Sequence, residues 1–182
     1  ALFDAFESDF TMVPSEIVAH ECLAILTTPL LAPFLDAVRR ADDAWAKALL
    51  GELTGRFGWE VPAVWSVTID VAQAPSLYRT LMRNERQVGL GELLRAPVTE
   101  RPPLACTALL LLRDGDAPRY LPGADTTLRA DDRILFVGTE DAQRDLTLTL
   151  FNGHTLQFVL TGRDSPGGAI WEWLARHRQA RA

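Results

Sequence analysis

Lysine is almost missing from this chain: Lys47 is the single lysine among 18 basic residues, and the others are arginine. We read that bias as a coding habit of the source organism. Against 24 acidic residues the net charge is −6, so the basic surface that a nonspecific grip on nucleic acid or anionic lipid requires is absent. Cysteine is scarce too. Cys22 and Cys106 each sit inside an apolar stretch without a CxxC partner, which argues against a disulfide framework or a cysteine metal site and for buried thiols in a reducing compartment. The histidines, His20, His154 and His177, are far apart. Only His20, with Glu16 one helical turn earlier, has a conceivable ligand spacing, and a helix-surface histidine beside acids is the plainer reading. No apolar run approaches the ~20 residues that cross a bilayer, so the chain is expected to be soluble. Low-complexity segments and internal repeats are also lacking, and a hydrophobic fraction of 48% over 182 residues is enough to bury a real core in one generous domain or two small ones.

Catalytic and phosphate-binding signatures are missing as well. Gly89-Leu90-Gly91 and Gly167-Gly168 lack the third position of a dinucleotide fingerprint, and Gly89 follows a charged stretch where a strand is needed. Ser15, Ser66, Ser76 and Ser165 have no nucleophile elbow around them; caps and turns account for them. The carboxylate pairs Asp42-Asp43, Asp131-Asp132 and Glu140-Asp141 have the composition to share a proton or bind a cation, but turn and helix-start roles suit them better. Trp45, Trp59, Trp65, Trp171 and Trp173 have no interleaved basic residues, which favours core and interface roles over base stacking.

What is present is an alternation of helical and strand patterns. Phe10–Val13 reads as a strand end and Ser15 as the N-cap of a first helix whose apolar positions Val18, Cys22, Ile25 and Leu26 recur until Pro29. A second helix places Phe34, Val38, Ala41, Trp45 and Leu49 in one stripe, with Arg39–Asp43 and Asp43–Lys47 as i,i+4 pairs on the polar face, and Gly51, Gly55 and Gly58 are expected to end it. The two helices, joined at Thr27–Pro33, form a hairpin with more apolar surface than it can hide alone. Val61–Val71 reads as a strand, and Pro75-Ser76 opens a short helix carrying Leu77, Leu81 and Met82. The proline-bearing segment Arg83–Pro103 reads as irregular. Cys106–Leu112 is a strand covered on both faces, Asp114-Gly115-Asp116 a turn, Thr126–Leu128 a short piece and Ile134–Val137 another strand. A helix from Glu140-Asp141 carries Ala142, Leu146 and Leu150. A strand over Thr155–Thr161, a Pro166-Gly167-Gly168 break and a helix over Ala169–Arg178 complete the chain. The fold class is α+β, divided as 1–58 (helical hairpin), 59–146 (mixed subdomain) and 147–182 (strand and helix extension).

The order Leu109-Leu-Leu-Leu-Arg113-Asp-Gly115, then Pro122-Gly-Ala-Asp125-Thr126-Thr-Leu128, then Asp131-Asp132 and Ile134–Gly138 resembles the C-terminal subdomain of the regulator-of-potassium-conductance family, the TrkA C-terminal domain. The resemblance covers about Val64–Leu146, and more loosely Asp9–Leu53. It implies a small mixed α/β subdomain fronted by a helical crossover hairpin at the end of a Rossmann-like half. It also implies a ligand-sensing regulatory role, with no catalysis, in a bacterial potassium channel or channel-related transporter. The chain opens at Ala1 without an initiator Met or signal peptide, and we expect it to be a cytoplasmic piece of a longer inner-membrane protein. No cofactor is expected in this fragment; any nucleotide belongs to the absent N-terminal half. Homodimerisation, or a higher homo-oligomer, is expected through Phe34, Val38, Trp45 and Leu49. Arg113 at the sheet rim is expected either to pair with Asp125 or Asp132 or, with Asp131 and Asp132, to hold a small ligand of unknown identity. Two alternatives stay open: an enzyme domain with a site in its acidic loops, and a ligand-free interaction or dimerisation module.

Overall fold

The structure, a computed structural model, describes residues 28–57, 62–83, 86–98 and 102–162. The expected first strand at Phe10–Val13, the Ser15-capped helix, and the Pro166–Gly168 break with its following helix lie outside the described residues. The rest is α+β: six helices and one four-stranded antiparallel sheet among the described residues. In chain order they are α1 (Leu31–Arg40), α2 (Asp43–Phe57), β1 (Ala63–Thr68), α3 (Pro75–Met82), α4 (Leu90–Leu93), β2 (Cys106–Leu112), β3 (Arg119–Tyr120), β4 (Arg133–Gly138), α5 (Glu140–Phe151) and α6 (Gly153–Thr161).

The sheet order is β1-β4-β2-β3, so the two most aliphatic strands, β2 and β4, lie in its middle as antiparallel neighbours. Their continuous apolar sequences fit strands that must bury both faces. On one face Trp65, Val67, Ile134 and Phe136 meet α3, α4, α5 and α6, with Trp65 stacked on Phe136 at 5.7 Å. On the other, Leu109, Leu110, Leu135 and Val137 meet Phe34 and Leu49 of α1 and α2. The pairing of β2 with β4 shifts between Ala108 and Leu110, leaving Leu109 as an extra residue. That bulge turns two consecutive leucines toward α1 and α2 while Ala108 and Leu111 keep the opposite face.

Several local expectations are corrected. The single stripe from Phe34 to Leu49 is two helices, because Ala41 is extended (ψ 161°) and the Asp42 carboxylate accepts from Trp45 N at 2.7 Å, starting a new helix. Arg39, consequently severed from Asp43, lies 3.8 Å from Asp36 in an exposed pair. Gly51 and Gly55 do not end α2, which continues to Phe57; Gly58 lies outside the described residues. The strand expected over Val61–Val71 is shorter, since Asp70 Oδ1 accepts from Ala72 N and Gln73 N and bends the chain away after Thr68. The segment Arg83–Pro103 contains α4, and Thr127 forms an isolated bridge with Gly89. The strand expected over Thr155–Thr161 is the helix α6 instead. Asn152 caps it by accepting from His154 N and Thr155 N, and Leu156, Val159 and Leu160 fall at i, i+3 and i+4, so all three are buried.

Candidate functional site

Arg113 stands at the end of β2, and the tight chain path around 123–132 brings Asp132 to it. Arg113 Nε donates to Asp132 Oδ1 at 2.7 Å and Nη2 donates to Oδ2 at 2.8 Å, a bidentate pair; Nη2 also donates to the Thr127 carbonyl at 2.9 Å. Asp132 is fully buried, and its Oδ2 accepts a further bond from Arg129 N at 2.8 Å. The hydrogen bonds to the Asp132 carboxylate above all, with Asp116 at 3.7 Å adding to them, push the Arg113 pKa up. The neighbouring Asp131 has φ +64°, is exposed, and donates its backbone N–H to the Ile69 carbonyl. Arg113 and Asp132 therefore tie the end of β2 and the start of β4 to the loop between them, while Asp131 stands apart from that pair. Asp125 is not the partner; the turn holding it is closed by Thr126 N donating to the Gly123 carbonyl at 3.0 Å.

The residues expected at a dimer contact are distributed differently. Phe34 and Leu49 are buried in the core beneath α1 and α2, whereas Val38 and Trp45 are half-buried, with Trp45 edge-on to Tyr120 at 6.5 Å. Cys106 is buried, and burial pushes its thiol up to about 12 despite the nearby Arg56 guanidinium, so it is an inert packing group. Among the described residues no group of three or more His, Cys, Asp or Glu has the geometry to hold a metal ion, and no helix is long and apolar enough to cross a membrane. His154 is exposed at the start of α6; His20, Glu16 and His177 lie outside the described residues. Glu140 and Asp141 occupy the first turn of α5, where Asp141 pairs with Arg144 at 3.1 Å.

A cleft of about 290 Å³ opens where the two helical layers meet the sheet margin. Glu52 and Arg56 of α2 form one wall, Leu90 of α4 and Leu94 just past its end another, Thr107 of β2 the floor and 121–124 the remaining side. Its shape depends on close backbone contact: Gly91 N donates to the Ala124 carbonyl at 2.8 Å, and a Cβ on Gly91 would stand 2.7 Å from Ala124 Cβ. Arg86 braces α4 from behind, pairing with Glu92 at 2.6 Å and donating to the Leu160 carbonyl of α6 at 3.0 Å. One apolar wall, with a carboxylate and a guanidinium on the α2 side and a hydroxyl on the floor, suits a small molecule with an apolar body and a polar or charged end. Reading the sequence missed Glu52 and Arg56. Their i,i+4 spacing on a helix is the available signal, and the glycines at 51 and 55 mask it by suggesting a helix end.

No protein-family model matches the chain, and no curated protein sequence matches it either.

Proposed function

We propose that the chain is the cytoplasmic ligand-sensing regulatory part of a bacterial potassium channel or channel-related cation transporter, acting as a homo-oligomer and without catalysis of its own. The observation that carries this reading is the central antiparallel pair Cys106–Leu112 and Arg133–Gly138, closed by the bidentate Arg113–Asp132 bridge. The strand, turn and acid whose order resembles the regulator-of-potassium-conductance family thus act as one packed unit. The small cleft beside Glu52 and Arg56 supports a sensing role, because it touches α2 on one face of the sheet and α4 on the other. A molecule bound there would favour one arrangement of the helical layers, and only its differential affinity for two arrangements would perform gating work. Any such movement reaches a membrane pore through the rest of the full-length protein.

Rubidium flux through the full-length protein in liposomes tests this. A small-molecule extract of bacterial cytosol should change flux through the wild type. It should leave flux unchanged through Thr107→Trp, whose indole fills the cleft. A protein that passes no rubidium, or a Thr107→Trp variant that responds like the wild type, rejects the reading.

A further inference from the structure

The two edges of the sheet are built differently. β3 is two residues long, exposed and carries Arg119, all devices that discourage further pairing. β1 is six residues long, AVWSVT, without a single charge. Its hydrogen-bond phase follows from its end: Ile69 N donates to the Asp132 carbonyl and the Ile69 carbonyl accepts from Asp131 N, so Ile69 points both groups toward the β4 side. In an antiparallel ladder alternate residues share that direction, hence Val67, Trp65 and Ala63 also face β4, and Thr68, Ser66 and Val64 face outward. Thr68 is already closed off, its N–H donating to Gln73 Oε1 at 2.9 Å and its carbonyl accepting from Asp70 N at 2.9 Å. At the other end the next outward position is Pro62, which has no N–H. Among the described residues the open window is therefore Val64 and Ser66, two residues symmetric about Trp65.

We propose that β1 is an association edge for a second copy of this chain, pairing antiparallel about Trp65 so that Val64 of each copy lies opposite Ser66 of the other. A two-fold axis at Trp65 makes the window its own complement: the outward N–H and carbonyl of Val64 and Ser66 in both copies are satisfied by four hydrogen bonds, and the two sheets fuse into one of eight strands. The plug at Thr68 and the proline at 62 confine pairing to this register, which lets a charge-free edge exist without unlimited strand addition. Half-exposed Val64 is covered in the process. The proposal deepens the homo-oligomer part of the functional reading and moves the contact away from Phe34 and Leu49, which the chain's own core occupies.

Sedimentation of the chain at about 50 μM, wild type against Ser66→Pro, is the first test. The Ser66 N–H lies outside the β4 ladder, so proline there blocks the edge while circular dichroism stays native. A dimer converted to monomer is expected. The second test fixes the register: a mixture of Val64→Cys chains and Ser66→Cys chains should form an oxidised cross-link absent from either variant alone, since facing residues of a hydrogen-bonded pair have Cα atoms about 5.5 Å apart. A wild type that is monomeric because its own flanking segment covers β1, a dimer that survives Ser66→Pro, or cross-links formed within one variant alone would each overturn it. Failure of rubidium flux to respond to the extract leaves this result standing, so the two readings fail separately.

Discussion

The two faces of the sheet are unequal. Among the described residues twenty buried side chains pack on the α3–α6 side and seven on the α1–α2 side, where Val38, Trp45, Leu53 and Phe57 are only partly covered. The first side holds the fold together and the second is attached to it, which places the easily displaced layer next to the cleft. The sharpest way to break that comparison is to truncate one aromatic on each face. Phe136 is completely buried against Trp65, and Phe136→Ala is expected to cost about 4–5 kcal/mol, the upper end for a buried ring. Phe34→Ala should cost about 3 kcal/mol, because the loosely covered layer can settle into the space. Urea denaturation measures both. Hydrogen exchange sharpens the contrast: in Phe34→Ala the amides of α1 and α2 should exchange faster than those of β4, through partial opening. Equal acceleration in both would show that the two layers unfold as one.

What the sequence revealed follows the same division. β2, β4, α3 and α5 were legible because their signals are local and agree with their tertiary setting: an unbroken aliphatic run, a Pro-Ser helix start, and Ala142, Leu146 and Leu150 on one stripe. Arg113 was legible as a rim residue with two possible partners, but choosing Asp132 over Asp125 needed the path of the intervening loop. α6 reads as a strand in sequence since Thr155, Val159 and Thr161 are β-branched, and the Asn152 cap together with packing of Leu156 and Leu160 outweighs that weak propensity. The break at Ala41–Asp42 was hidden because the apolar stripe stays in phase across it while one aspartate carboxylate redirects the chain. The cleft was illegible for a different reason: its walls come from four segments remote in sequence.

Cys106 joins the two halves of the comparison, since it packs on the heavily buried face while Arg56 of α2 donates to its carbonyl at 3.4 Å. Its thiol is raised from an ordinary 9.0 to about 12 by burial, so the folded chain holds the proton more tightly than the unfolded chain. The group's contribution is complete below about pH 9 and is lost as the pH climbs toward 12. Urea midpoints measured from pH 8 to 11 should therefore fall more steeply in the wild type than in Cys106→Ala. Parallel slopes would mean the thiolate is as well solvated in the fold as outside it.

The smallest effect should be a gain. Gly51 lies within α2, and a Cβ built there meets nothing within 4 Å. Glycine in a helix interior gives up more backbone entropy than alanine, so Gly51→Ala is expected to stabilise by roughly 0.5–1 kcal/mol, visible as a higher melting temperature. The same change at Gly138 must have the opposite sign, because its Cβ would stand 2.6 Å from the Ala105 carbonyl oxygen where β4 ends beside the start of β2. The gain at Gly51 also has a location. If α2 is attached to the sheet more weakly than α5, extra helix stability should slow amide exchange in α2 and leave α5 unchanged, whereas uniform slowing would mean the thinner layer is already part of the global unfolding unit.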